Sequence, residues 1–226
     1  MRLIERTARW VDPETFRRLP VWYPEYSRRT KFYKNNWSEQ LLNRNRQTGE
    51  TVHKVEGNRY ANQVLTKALG LRSSSRPNWA CCHIWSVDDS KFTSSNVIVQ
   101  NPSYYSCVAN MVLLPTPLKA FTDAMPEVKA MLRVCAFYTY DWRCEDESVQ
   151  ATDLVTPGRD PAYPESWPND LRAGLPIGTV PYSDAIGRDI DRRLARVRHD
   201  LQAAGKWYPR EQVEKILEDW GIKVEV

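Results

Sequence analysis

The chain has 226 residues, 42% of them hydrophobic and 27% charged, which supplies ample apolar side chains for a core and excludes a mainly disordered polypeptide. No apolar run approaches the roughly 18 residues that a membrane-spanning helix needs, and five cysteines at irregular spacing do not read as a secreted disulfide framework. The formal net charge of +4 hides an uneven distribution: residues 1–80 hold sixteen Lys and Arg against seven Asp and Glu, residues 81–181 seven against twelve, and residues 182–226 nine against nine.

The opening Met1-Arg2-Leu3-Ile4 carries no signal-like apolar stretch, so the expectation is a cytoplasmic protein without a membrane partner. Asp12-Pro13-Glu14 opens a helix that must end before Pro20. From Arg17 to Trp37, cations and rings alternate: Arg17, Arg18, Trp22, Tyr23, Tyr26, Arg28, Arg29, Lys31, Phe32, Tyr33, Lys34 and Trp37. Cations neutralise phosphates and rings stack on bases, so this stretch is a candidate nucleic-acid grip. Residues 20–54 are poorly periodic and read mostly as loop.

Helical spacing returns at Tyr60, Ala61, Val64, Leu65, Ala68 and Leu69, with Gly70 where a C-terminal cap belongs. After the Ser73–Pro77 turn come three strand candidates: Trp79–Val87, Asn96–Gln100, and Cys107–Leu114, which Pro115 closes. A helix is expected over Pro126–Tyr140, then a proline-rich surface loop over 145–182. Ser183 caps a helix whose apolar stripe is Ile186, Ile190, Leu194, Val197 and Leu201, and a last helix runs from Pro209 to Trp220 with Gly221 as its stop. The expected fold is one α+β domain with a small central β unit between terminal helices. Its regions are 1–76 (basic and aromatic), 77–144 (central), 145–182 (loop) and 183–226 (helical).

Of the three histidines, His53 sits in a polar stretch and His199 between Arg198 and Asp200. His83 differs, because it lies in the strand-like Cys81-Cys82-His83-Ile84-Trp85, followed later by Asn110-Met111-Val112-Leu113-Leu114 and then Leu118–Asp123. At these residues, over about 79–140, the sequence resembles the HNH endonuclease family, whose active site is a ββα unit around one metal ion. The resemblance implies that His83 is the general base that activates water, and that Asn110 orders the loop and holds the imidazole. It also implies a divalent cation, Mg²⁺ or Mn²⁺. Cys82 stands where the family has an acid or histidine ligand, and Lys119 where it has its last ligand. Asp123, one helical turn beyond Lys119, is the candidate carboxylate.

The implied function is a metal-dependent DNA endonuclease, of the site-specific type II restriction kind. Its candidate duplex contacts are Arg17, Arg18, Arg28, Arg29, Lys31, Lys34, Lys119, Arg192 and Arg196. A palindromic target would be matched by a homodimer. Three further readings stand beside it. One is a PD-(D/E)XK site from Glu56, Asp89 and Lys91. Another is a structural Zn²⁺ with soft ligands from Cys81, Cys82, His83 and Cys107, joined by Cys135 or Cys144; Cys81 and His83 share a strand face, and Cys82 does not. The last is a non-catalytic DNA-binding protein on a degenerate HNH scaffold. No GxxxxGK[ST], GxGxxG or GxSxG motif occurs.

Overall fold

The computed structural model describes residues 1–25, 37, 39, 42–44, 49–53, 57–86, 96–147, 149 and 161–224. They form a mixed α+β fold, about half helical, with short strands. In chain order the first elements are α1 (Arg2–Thr7), β1 (Trp10–Val11) and α2 (Pro13–Arg18). Asp12 caps α2 by accepting from the Glu14 N–H at 2.7 Å, as Asp-Pro at a helix start should. Within the stretch read as loop, β2 (Leu42–Arg44) and β3 (Thr51–His53) form an antiparallel pair.

Next come α3 (Gly57–Ala68), β4 (Trp79–His83), α4 (Pro102–Tyr105) and β5 (Met111–Pro115). Helix α3 ends where expected: Gly70 has φ 60°, and the Leu71 N–H donates back to the Thr66 carbonyl at 2.8 Å. One expectation is corrected here. Asn96–Gln100 is not a strand, because Ile98–Gln100 forms a 3₁₀ turn leading into α4. The local reason is Asn101-Pro102: Asn101 accepts from the Ser103 N–H at 2.9 Å and proline starts the helix.

The chain continues with α5 (Thr116–Ala124), α6 (Pro126–Tyr140), β6 (Thr179–Val180), α7 (Asp184–Ala203) and α8 (Arg210–Asp219). Gly221, with φ 61°, stops α8, while Pro209 occupies its N-cap rather than its first helical position. Among the described residues, no helix is long and apolar enough to cross a membrane.

Strands β4 and β5 pair antiparallel, with Cys81 opposite Leu113 and His83 opposite Met111. Strand alternation then sorts the side chains between two layers. Cys81, Met111 and Leu113 pack with Tyr60, Val64, Leu65 and Ala68 of α3 and with Ile186 and Ile190 of α7. Cys82, Val112 and Leu114 pack with Leu132, Cys135 and Ala136 of α6, together with Trp10 and Trp167. Covered on both faces, β5 has no polar alternation, which is why Met-Val-Leu-Leu reads as one apolar run.

The loop at 161–178 reaches further inward than a surface strap. Trp167 is buried and meets Trp10 edge to face at 5.8 Å, and β6 then pairs parallel with β1. Gly178, at φ 87°, makes this approach possible. A Cβ there would lie 2.1 Å from the Ala8 carbonyl oxygen.

Candidate active site

His83 ends β4, and Asn110 immediately precedes β5, so the antiparallel register brings the two together. The Ile84 N–H donates to the Asn110 carbonyl at 3.0 Å. The Asn110 side chain, wholly buried, then accepts from the Trp85 N–H at 2.7 Å and donates to the Tyr104 carbonyl at 3.2 Å. One asparagine thus ties the segment after His83 to the end of α4.

The His83 imidazole is held from the same helix end. Its Nε2 lies 2.8 Å from the Tyr105 carbonyl oxygen. A carbonyl can only accept, so Nε2 carries the proton and Nδ1 is left with the lone pair. Burial pushes the imidazole pKa down to about 4; the Tyr105 bond opposes that shift, and the ammonium groups of Lys119 and Lys129 add to it. His83 is therefore neutral at neutral pH, in one fixed tautomer, as a proton acceptor requires.

The wall carrying Tyr105 is itself anchored. Ser106 Oγ accepts from the Tyr23 N–H at 2.8 Å, and the Val108 N–H donates to the Pro20 carbonyl at 3.0 Å. Two residues on from Tyr23, the carboxylate of Glu25 is buried against Arg193 of α7 at 2.6 Å; Arg193 also donates to the Trp22 carbonyl. The chain that leads into the basic, aromatic stretch is thereby clamped to the His83 wall on one side and to α7 on the other.

Helices α5 and α6 close the site from the opposite layer, with α5 packed directly on β4 and β5. Lys119 and Asp123 do share a face of α5, where they form an ion pair. Cys82 belongs to the apolar layer; burial pushes its thiol up to about 11, partly offset by a hydrogen bond with Thr122. A protonated buried thiol and a lysine-paired carboxylate are not a donor set for a hard cation such as Mg²⁺. Among the described residues, no group of three His, Cys, Asp or Glu side chains is placed to hold a metal ion, Zn²⁺ included. Asp88, Asp89 and Lys91, together with Glu56, lie outside the described residues, so the PD-(D/E)XK set has no geometry to discuss.

Three polar residues beside His83 escaped sequence reasoning. Lys129 of α6 is buried, with its Nζ 2.8 Å from Ser86 Oγ. Arg133, one turn later, donates to the carbonyls of Ile84 at 2.7 Å and Ser86 at 3.0 Å. The signal was present, because two cations four apart interrupt a helix otherwise rich in buried apolar residues.

The proposed DNA contacts divide. Arg28, Arg29, Lys31 and Lys34 lie outside the described residues. Arg17 and Arg18 on α2 both pair with Glu14, at 2.9 and 2.8 Å, and Arg18 also lies over the Tyr182 ring. Arg192 pairs with Asp189 at 2.6 Å and, with Arg188 and Asp191, lines a shallow depression on α7. Arg196 is bound to the buried Asp200 at 3.0 Å. Arg17, Arg18 and Arg192 keep their guanidinium groups at the surface, whereas Lys119 stands with His83.

Compared with family models, with curated proteins and with solved structures, the chain matches none of them.

Proposed function

We propose that the chain is a DNA endonuclease that hydrolyses phosphodiester bonds with His83 as its general base, on a ββα unit formed by β4, β5 and α5. The observation that carries this reading is the fixed tautomer of His83: its Nε2–H is committed to the Tyr105 carbonyl, and the backbone after it is locked by Asn110. In the proposed step, Nδ1 takes a proton from water as the water oxygen bonds to phosphorus. The bond from phosphorus to the leaving sugar oxygen breaks, and that oxygen takes a proton from solvent. No step is assigned to a metal ion, because Cys82 and Asp123 do not form a fitting ligand set with the described residues. Surface cations of α2 and α7 and the basic stretch 17–46 supply the duplex contacts. A palindromic target and a homodimer follow from the restriction-type reading.

The test is digestion of a long mixed-sequence duplex by the full chain with Mg²⁺ or Mn²⁺, beside His83→Ala. Discrete fragments that disappear in the variant support the proposal, while cutting that survives it refutes His83 as base. A second reading, a DNA-binding module without catalysis, is favoured by the thiol at Cys82 and the Lys119–Asp123 pair. It predicts retarded but uncut DNA. Absence of binding at low salt rejects both readings.

A further inference from the structure

Residues 182–226 hold equal numbers of basic and acidic side chains, but the two kinds are segregated. Asp184, Asp189 and Asp191 stand at the start of α7, and Glu211 and Glu214 on α8. From Arg192 to Arg210 there are six Lys and Arg and one carboxylate. That carboxylate, Asp200, is 3% exposed and bound by Arg196 at 3.0 Å. The surface that this stretch presents is therefore cationic.

The helical period gives this part of α7 two faces. Ile190, Val197 and Leu201 are buried, whereas Arg192, Ala195, Arg198, His199 and Gln202 are exposed on the other side. Among the described residues, Arg198, His199 and Gln202 make no side-chain hydrogen bond or ion pair. The end of α7 does not need them, because Arg210 already donates to the carbonyls of Leu201, at 2.9 Å, and Ala204. Just past the helix end, the Lys206 ammonium lies 4.6 Å from the ring centre of Trp207, itself 40% exposed.

Length and chemistry both suit the major groove of duplex DNA. From Arg192 to Gln202 the face runs about 15 Å at the α-helical rise, against a groove about 12 Å wide. Arginine matches the acceptor pair of guanine, glutamine the donor and acceptor of adenine, and an imidazole can donate or accept. Ala195 keeps the middle of the face low, so the helix can sink between the strands.

We propose that α7 from Arg192 onward lies in the major groove, with Arg198, His199 and Gln202 on base edges and Arg192 and Lys206 on the flanking phosphates. The inference rests on the DNA-binding part of the nuclease reading and is independent of His83 and of cleavage. It makes α7, rather than the basic stretch 17–46, the element that reads sequence.

The test is selection of bound duplexes from a randomised pool by the full chain, in chelator so that nothing is cut. Arg198→Lys and Gln202→Ala are selected in parallel, with His199→Ala in reserve should either fail to fold. The wild type should enrich a defined sequence. Each variant should bind that sequence about tenfold more weakly and lose the preference at one or two of its positions. Arg198→Lys keeps the charge but not the planar fork, so its loss of preference separates base reading from phosphate attraction.

Variants that bind more weakly but select the same sequence would place α7 on phosphates alone and overturn the proposal. So would variants that match the wild type, a wild type that enriches no sequence, or tighter binding of single strands than of duplex. His83-dependent cleavage at a site whose selection ignores α7 leaves the nuclease reading standing and overturns this one. Selection that depends on α7, in a protein that cuts no DNA when Mg²⁺ or Mn²⁺ is supplied, does the reverse.

Discussion

His83 makes a pH-dependent contribution to stability whose sign and size follow from its surroundings. Burial, with Lys119 and Lys129 in support, lowers its pKa from an ordinary 6.5 to about 4 in the folded chain. At pH 7 folded and unfolded chains both hold the ring neutral, so the full stability is present. As pH falls below 6.5, the unfolded imidazole takes up a proton that the folded one refuses, and stability drops until the folded ring also titrates near pH 4. Between pH 7 and pH 5 the loss works out at about 2 kcal/mol.

The perturbation is His83→Gln, whose amide N–H can still donate to the Tyr105 carbonyl but whose side chain does not titrate. Urea unfolding of both proteins at pH 7 and pH 5 isolates the effect, because His53 and His199 are common to both and cancel. The wild type should lose about 2 kcal/mol more than the variant on going to pH 5. Losses that agree within about 0.5 kcal/mol would refute the partly buried, neutral histidine and with it the fixed tautomer on which the proposed base depends.

Asn110→Ala should destabilise the chain by about 1–3 kcal/mol in the same assay, since it removes the acceptor of the buried Trp85 N–H and one of the donors to the Tyr104 carbonyl, which keeps the Cys107 N–H. Arg193→Met should cost about 3–5 kcal/mol by leaving Glu25 charged and unpaired in the interior; adding Glu25→Gln should recover part of that loss, and an additive double variant would contradict the pairing. Gly178→Ala should lower the thermal midpoint, because its Cβ would collide with the Ala8 carbonyl; an unchanged midpoint would mean that β1 and β6 do not approach as described. If the surface arginines grip DNA through phosphates, Arg17→Ala with Arg192→Ala should reduce the slope of log affinity against log salt by about two, and an unchanged slope would remove them from the interface.

Features that depend on near neighbours in the chain were legible in advance. Asp12-Pro13 starts α2, Gly70 stops α3, Ser183 starts α7 and Gly221 stops α8, because caps act over three or four residues of backbone. The alternation that sends Cys81 and Cys82 to opposite layers is likewise written in strand geometry, and His83 with Asn110 could be singled out from their order along the chain. Asn96–Gln100 misled because β-branched residues there satisfy strand propensity, while the cap formed by Asn101-Pro102 commits the segment to helical turns.

What the sequence could not decide were pairings between distant segments. The proton on His83 is placed by a carbonyl 22 residues away, and Lys129 meets Ser86 across 43 residues. Trp167 leaves its proline-rich loop to fill a gap beside Trp10. Local patterning specifies that a residue is apolar, charged or turn-forming. Which partner it meets is decided when the two layers close on β4 and β5, and that closure gives the histidine at the end of a strand a lowered pKa and a fixed carbonyl partner.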